Sequence, residues 1–123
     1  MTSENGPNAW LRIEAYLDFY DIPRMFVVEP KRGLLLVFDC AFDDTIDNYP
    51  RCFKVSVLAR GVTVSDLPTD WRSLPSMTVG AVAAIPISAL RFDSTRRREV
   101  LIGGLADLVA MSERLIGSSV AQI

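Results

Sequence analysis

The chain has 123 residues, half of them hydrophobic and 23% charged, with a formal net charge of −2. Such a chain can bury a core of its own, which excludes a disordered segment, a disulfide-dependent miniprotein and a domain-wide basic footprint for nucleic acid. Histidine is absent, and with it go the commonest general base and the commonest zinc ligand.

Mean hydropathy is +0.24, high for so small a domain, and this favours some apolar surface being kept for a subunit contact. Residues 1–8 are polar with Gly6 and Pro7 and read as a loose arm, 9–117 as one domain, and 118–123 as a loose tail. The N-terminus has neither a basic n-region nor an apolar h-region, so no signal peptide is expected. The most apolar run, Val79–Ile87, falls well short of the ~20 residues of a membrane span. A cytoplasmic protein is the expectation.

In chain order, Leu11, Ile13, Ala15, Leu17 and Phe19 alternate with Trp10, Arg12, Glu14, Tyr16 and Asp18, a period of two that predicts a half-buried strand. A helix with Trp10, Ile13, Leu17 and Tyr20 on one face is the alternative. Pro23 then restricts Ile22 and turns the chain. Two apolar runs, Met25–Val28 and Leu34–Phe38, flank Pro30-Lys31-Arg32-Gly33, which predicts a hairpin with a four-residue loop. That register sets Val28 opposite Leu35, Phe26 opposite Val37 and Arg24 opposite Asp39 as a cross-strand ion pair. Leu34–Phe38 is apolar on both faces, as a central strand is.

Asp43–Pro50 reads as a polar loop, and Arg51–Ala59 as a strand whose inward set is Phe53, Val55 and Val57. Leu34, Leu36, Phe38 and Cys40 share the facing set, so Cys52 points away from Cys40 and a disulfide between them is disfavoured. Gly61–Ser65 reads as a short strand and Asp66–Pro75 as a loop with a helical turn from Pro68. Met77–Ile85, rich in Gly and Ala, reads as a buried strand ended by Pro86. Ile87–Phe92 continues it as an extended run. From Ser94 to Ile116 the apolar spacing becomes three and four, which predicts an amphipathic helix capped by Asp93 or Ser94 and closed by Gly117. Gly103-Gly104 either allows a close approach to the small-residue strand or breaks that helix.

Chemistry is sparse. Asp43, Asp44 and Asp47 form a D-D-x-x-D pattern like that of isoprenoid synthases, which hold magnesium–diphosphate in large helical cavities. Here it occurs once, between strands, and a solvated loop is the simpler reading. Arg96-Arg97-Arg98 with Arg91 is the one basic run. Cations at a helix N-terminus oppose the dipole, so they are either a partner-binding patch or a solvated face offset by Glu99. No stacking aromatics are interleaved, which argues against nucleic acid. Cys40 and Cys52 lie in apolar strands beside aspartates, a setting for structural thiols. No cofactor, metal site or catalytic residue is expected.

The segment Tyr16-x-x-Phe19-Tyr20-Asp21-x-Pro23-Arg24-x-Phe26, followed by Gly33 and a Leu-rich strand, resembles small uncharacterised bacterial proteins whose β-meander starts Y-D-x-P-R-x-F. The resemblance covers about 35 residues and implies a compact α+β fold with an N-terminal antiparallel sheet; it carries no activity or site residues.

The combined expectation is an α+β domain, with an antiparallel sheet of about five strands and a C-terminal amphipathic helix packed on one face. The functional expectation is a non-enzymatic accessory, adaptor or immunity-type protein acting through protein–protein contact, homodimeric, with Asp43, Asp44 and Asp47 as a partner-binding loop. The alternative is a small-molecule site or weak carboxylate-based enzyme built from Asp18, Asp21, Arg24 and Asp39 at one end of the sheet.

Overall fold

The computed structural model describes residues 10–69, 71–93 and 95–121; the expected N-terminal arm lies outside them, as do Asp70, Ser94 and the last two residues. Seven strands form one curled sheet in the order β5-β4-β3-β2-β1-β7-β6, every neighbouring pair antiparallel. They are β1 (Leu11–Phe19), β2 (Pro23–Lys31), β3 (Leu34–Asp39), β4 (Cys52–Leu58), β5 (Thr78–Pro86), β6 (Leu90–Asp93) and β7 (Arg96–Ile102), followed by one helix, α1 (Leu105–Ala121). The sheet and the C-terminal helix are as expected, and residues 11–19 are a strand rather than a helix. The strand number is not five but seven.

The difference comes from residues 90–102. The expected helix from Ser94 starts only at Leu105, because Arg96–Ile102 is a strand paired with β1 through Leu11↔Val100 and with β6 through Leu90↔Ile102. Three arginines hide its alternation, while Leu101, Leu105 and Leu108 happen to fall at helical spacing. Gly103-Gly104 is the joint. Gly104 takes a left-handed φ of +74°, which an L-residue adopts only at a cost. A Cβ on Gly103 would sit 3.1 Å from the carbonyl oxygen of Ala89, and its amide donates to that oxygen at 2.8 Å. At the far end α1 runs on to Ala121, so Gly117 is an interior residue and not the helix stop.

The hairpin is also shifted by one residue. The observed partners are Val28↔Leu36, Val27↔Val37, Phe26↔Phe38 and Met25↔Asp39, with Lys31↔Leu34 beside the turn and a bulge between Val28 and Lys31. The turn is thus two residues, Arg32-Gly33, with Gly33 at φ +83°, and the Glu29 carboxylate accepts its amide at 2.9 Å. The shorter turn shifts the register by two residues and the extra residue on β2 restores one, so Asp39 faces Met25 and not Arg24. The facing sets of β3 and β4 are as expected: Leu36↔Val57 and Phe38↔Val55 share one core, Cys40 is buried, Cys52 is exposed, and both are free thiols.

Two cores result, one on each side of β2 and β3. The concave one contains Phe26, Phe38, Phe53, Leu36, Val55 and Cys40, closed by Leu105, Leu108 and Ile116 of α1. Phe26 and Phe38 stack at 5.2 Å, and Phe92 of β6 meets Phe26 edge-on at 5.9 Å. Because β6 lies at the sheet's far edge from β5, these contacts show how strongly the sheet curls. The convex core holds Met25, Val27, Leu35, Val37 and Leu58 under Leu74 of the β4–β5 connection. β1 serves both cores: between Ile13 and Ala15 a bulge against β2 reverses its faces, so Leu11, Ile13 and Tyr16 turn inward and Ala15 and Leu17 outward.

Three local readings change. Gly61–Ser65 is no strand; Val64–Asp66 is a 3-10 turn in which Thr63 and Asp66 close a capping box. The helical turn expected from Pro68 is a 3-10 segment at Trp71–Met77. β5 pairs only with β4 and is partly exposed, an edge strand rather than a buried one. Its small residues do meet the helix, with Leu115 Cδ2 3.4 Å from where a Gly80 Cβ would stand.

Candidate functional site

Antiparallel pairing throughout puts the β1–β2 turn, the β3–β4 loop, the end of β5 and the β6–β7 turn at the same end of the curled sheet. An open depression of about 700 Å³ lies there, lined by residues including Tyr20, Asp21, Arg24, Tyr49, Arg51 and Ile87.

Arg24 organises this end. It stands second on β2, with only 8% of its surface exposed, and a buried guanidinium needs partners. Asp21, three residues earlier, supplies them. Its carboxylate accepts from Arg24 Nε at 3.0 Å and from Nη2 at 2.7 and 3.0 Å. Nη1 donates to Cys40 Sγ at 3.4 Å, and the guanidinium carbon lies 4.3 Å from the centre of the Tyr49 ring. Burial works against the charge on Arg24, but the Asp21 hydrogen bonds and the Cys40 contact outweigh it and its pKa is raised. The same hydrogen bonds hold the Asp21 carboxyl below the ordinary aspartate value.

Cys40 donates to the carbonyl of Pro50 at 3.1 Å, and burial pushes its thiol pKa up despite Arg24. A protonated, hydrogen-bonded thiol is a structural group. Tyr49 stacks on Tyr20 at 5.4 Å and receives Phe42 edge-on at 5.4 Å. Its phenol is also raised, first by burial and then by Asp18. A chain of contacts thus runs from buried Arg24 through Tyr49 to the solvent-facing rings.

The other expected site residues are distributed around this group. Asp39 does not reach Arg24; it lies opposite Met25, and its carboxylate accepts the amide of Ala41 at 3.0 Å. Asp43 accepts from the amide and hydroxyl of Thr45 at 2.9 and 2.6 Å, which lowers its pKa. Asp44 and Asp47 are exposed in the same loop, and Asp47 holds a left-handed φ of 52°. Among the described residues no group of three or more His, Cys, Asp or Glu side chains is placed to hold a metal ion. Arg91 and Arg98 are exposed on β6 and β7. The expected helix N-terminus at the arginines is replaced by the β6–β7 hairpin, whose turn Asp93 closes by accepting from Thr95, so the dipole argument no longer applies to them.

Sequence reasoning missed the aromatic part of this end. Phe19 is 60% exposed, Tyr20 69%, Phe42 44% and Ile46 56%, and they are the exposed large hydrophobics of the described residues. All four lie in the β1–β2 and β3–β4 segments. One signal was available: Phe42 and Ile46 stand inside the loop that its aspartates mark as solvated. Among the described residues no helix is long and apolar enough to cross a membrane. Compared with protein-family models, curated proteins and solved structures, the chain matches none.

Proposed function

We propose that this is a non-enzymatic cytoplasmic protein, an accessory, adaptor or immunity-type component, that works through protein–protein contact at the open end of its sheet. The observation that carries the reading is the exposure of Tyr20 and Phe42, which both pack on Tyr49. Scattered exposed apolar residues need no explanation, but Tyr20, Tyr49 and Phe42 are in contact with one another beside the aspartates of residues 43–47, and such a group has the composition of a contact surface. Support also comes from the charged groups nearest the depression, since Arg24 and Asp21 are spent on each other. A photo-reactive amino acid replacing Phe42 in the cell should give protein adducts, whereas one replacing exposed Ala106 on α1 should not. Equal adduct formation at both positions, or none at Phe42, would count against the reading.

A second reading has the depression itself in its favour: a small molecule bound against Tyr49 and Arg51. A metabolite that raised the melting temperature of the wild type but not of Arg51→Ala would favour it over the contact surface.

A further inference from the structure

We infer that the open end takes an arginine-bearing segment of another protein, whose guanidinium groups lie on the outer rings and pair with the aspartates beside them. The inference rests on the contact reading above and gives the chemistry of its partner.

The rings fix the place. Tyr20 stacks on Tyr49 by one face and is 69% exposed, so its other face meets water. Phe42 meets Tyr49 edge-on and is 44% exposed. The Asp43↔Asn48 bridge supports that second contact, because it sets the residues on either side, Phe42 and Tyr49, across from each other. These rings are thus held in place before anything covers them, and little freedom is lost in doing so.

Charge selects the occupant. Residues 18–24 and 39–51, joined by the Tyr20–Tyr49 stack, hold six Asp and two Arg, a net charge of −4. Asp21 and Arg24 offset each other, and Arg51 is the other cation in that balance. Asp44 and Asp47 are exposed, and among the described residues neither has an ion-pair partner. Asp18 and Asp21 add to the burial that raises the Tyr49 phenol, so negative charge faces the rings from the β1–β2 turn as well. Such a surface draws in a basic segment and repels an acidic one.

Arginine is favoured over lysine by the molecule's own example. The Arg24 guanidinium lies 4.3 Å from the centre of the Tyr49 ring while its Nε and Nη2 donate to the Asp21 carboxylate. The outer rings and the unpaired aspartates offer the same two groups to a cation from outside. A planar fork uses both better than an ammonium does.

The test has two parts, both on the full-length protein. In the first, adducts formed in the cell from a photo-reactive residue at Phe42 are digested with a protease that does not cut at arginine. Mass spectrometry of the partner segment should show Arg in excess of Asp and Glu. In the second, fluorescence anisotropy follows a labelled peptide of alternating Arg and Ser, beside the same peptide with Lys for Arg. The Arg peptide should bind more tightly than the Lys peptide, and less tightly as salt is added. Asp44→Asn with Asp47→Asn should weaken it by at least about tenfold. Asp107→Asn with Glu113→Gln, which removes the same charge from exposed positions of α1, should leave it unchanged. Asn suits the left-handed φ of Asp47, and near-ultraviolet circular dichroism confirms folding; if the pair misfolds, Asp44→Asn alone should still weaken binding. A neutral or acidic partner segment, a segment from a second copy of this chain, an Arg peptide that binds no better than the Lys one, or equal effects of the two double variants would each overturn the inference and leave the contact reading standing. Absence of any adduct at Phe42 would remove both.

Discussion

Two groups of aromatic rings in this protein have similar geometry and opposite surroundings. Inside the curl, Phe26 and Phe38 stack at 5.2 Å with Phe53 and Phe92 set around them. At the rim, Tyr20 and Tyr49 stack at 5.4 Å with Phe42 set edge-on. The inner rings have apolar side chains behind both faces, so their burial contributes to folding, roughly 1.5–3 kcal/mol for each fully covered side chain. At the rim, Tyr49 rests on one charged group, Arg24, and Phe42 and Tyr20 face water. Ring–ring contact alone therefore does not say what an aromatic cluster is for; what covers its other faces does.

The strongest way to break the comparison is at its inner member. Phe26→Ala should cost about 3–5 kcal/mol, because three other rings lose a partner and the strands around them cannot collapse into the space. Urea denaturation should show this as a lower midpoint with an unchanged slope. Next in size is Leu74→Ala. Leu74 is fully buried, but it belongs to a surface connection that can settle into the gap, so a loss of about 2–3 kcal/mol is expected by the same measurement.

A smaller effect separates the two groups by pH. The Asp21 carboxyl is held below its ordinary value of 3.8 by the hydrogen bonds from Arg24. A carboxyl whose pKa is lower in the folded state stabilises the fold above the unfolded value, and this contribution disappears as the pH falls through 3.8 and below. Asp21→Asn lacks that contribution. Its stability should therefore fall less steeply than that of the wild type over the acid range. Asp21→Asn should be less stable at neutral pH, since Arg24 is left buried without its counter-charge. Thermal melts at a series of pH values would check both statements.

How much of this was legible in the sequence follows from how local each signal is. β1 to β4 alternate or run apolar between turn residues, and their strand nature and the two-sided burial of β3 were readable directly. The hairpin register was not, because a bulge between Val28 and Lys31 is decided by how Glu29 and Gly33 close the turn. β7 was lost because three consecutive arginines open it without apolar alternation, and Leu101 falls at helical spacing with Leu105 and Leu108. Of the candidate site, the acidic loop and Arg24 can be named from the sequence, but the partner expected for Arg24 was Asp39, whereas Asp21 holds it. The rim itself was invisible: whether Phe19 and Phe42 are inside or outside depends on the bulges in β1 and on two loops meeting at one end, which are long-range facts.

The smallest expected change in stability is at the rim, and it is the sharpest test of the comparison. Phe42→Ser removes a ring that is 44% exposed and has one edge-on contact, to Tyr49. An exposed side chain with a single aromatic neighbour contributes little to folding, so the loss should stay at about 0.5 kcal/mol, roughly a sixth to a tenth of that for Phe26→Ala. Association should behave in the opposite way. Removing the most protected of the exposed rings takes out the piece of the rim best placed to act as an anchor, because its contact with Tyr49 already holds it in one orientation and little is lost in ordering it again. Phe42→Ser should thus melt almost as the wild type does while losing the protein adducts formed from a photo-reactive residue at Tyr20. A variant that lost stability and kept its association would mean that Phe42 belongs with the inner rings, and that the two clusters differ only in degree.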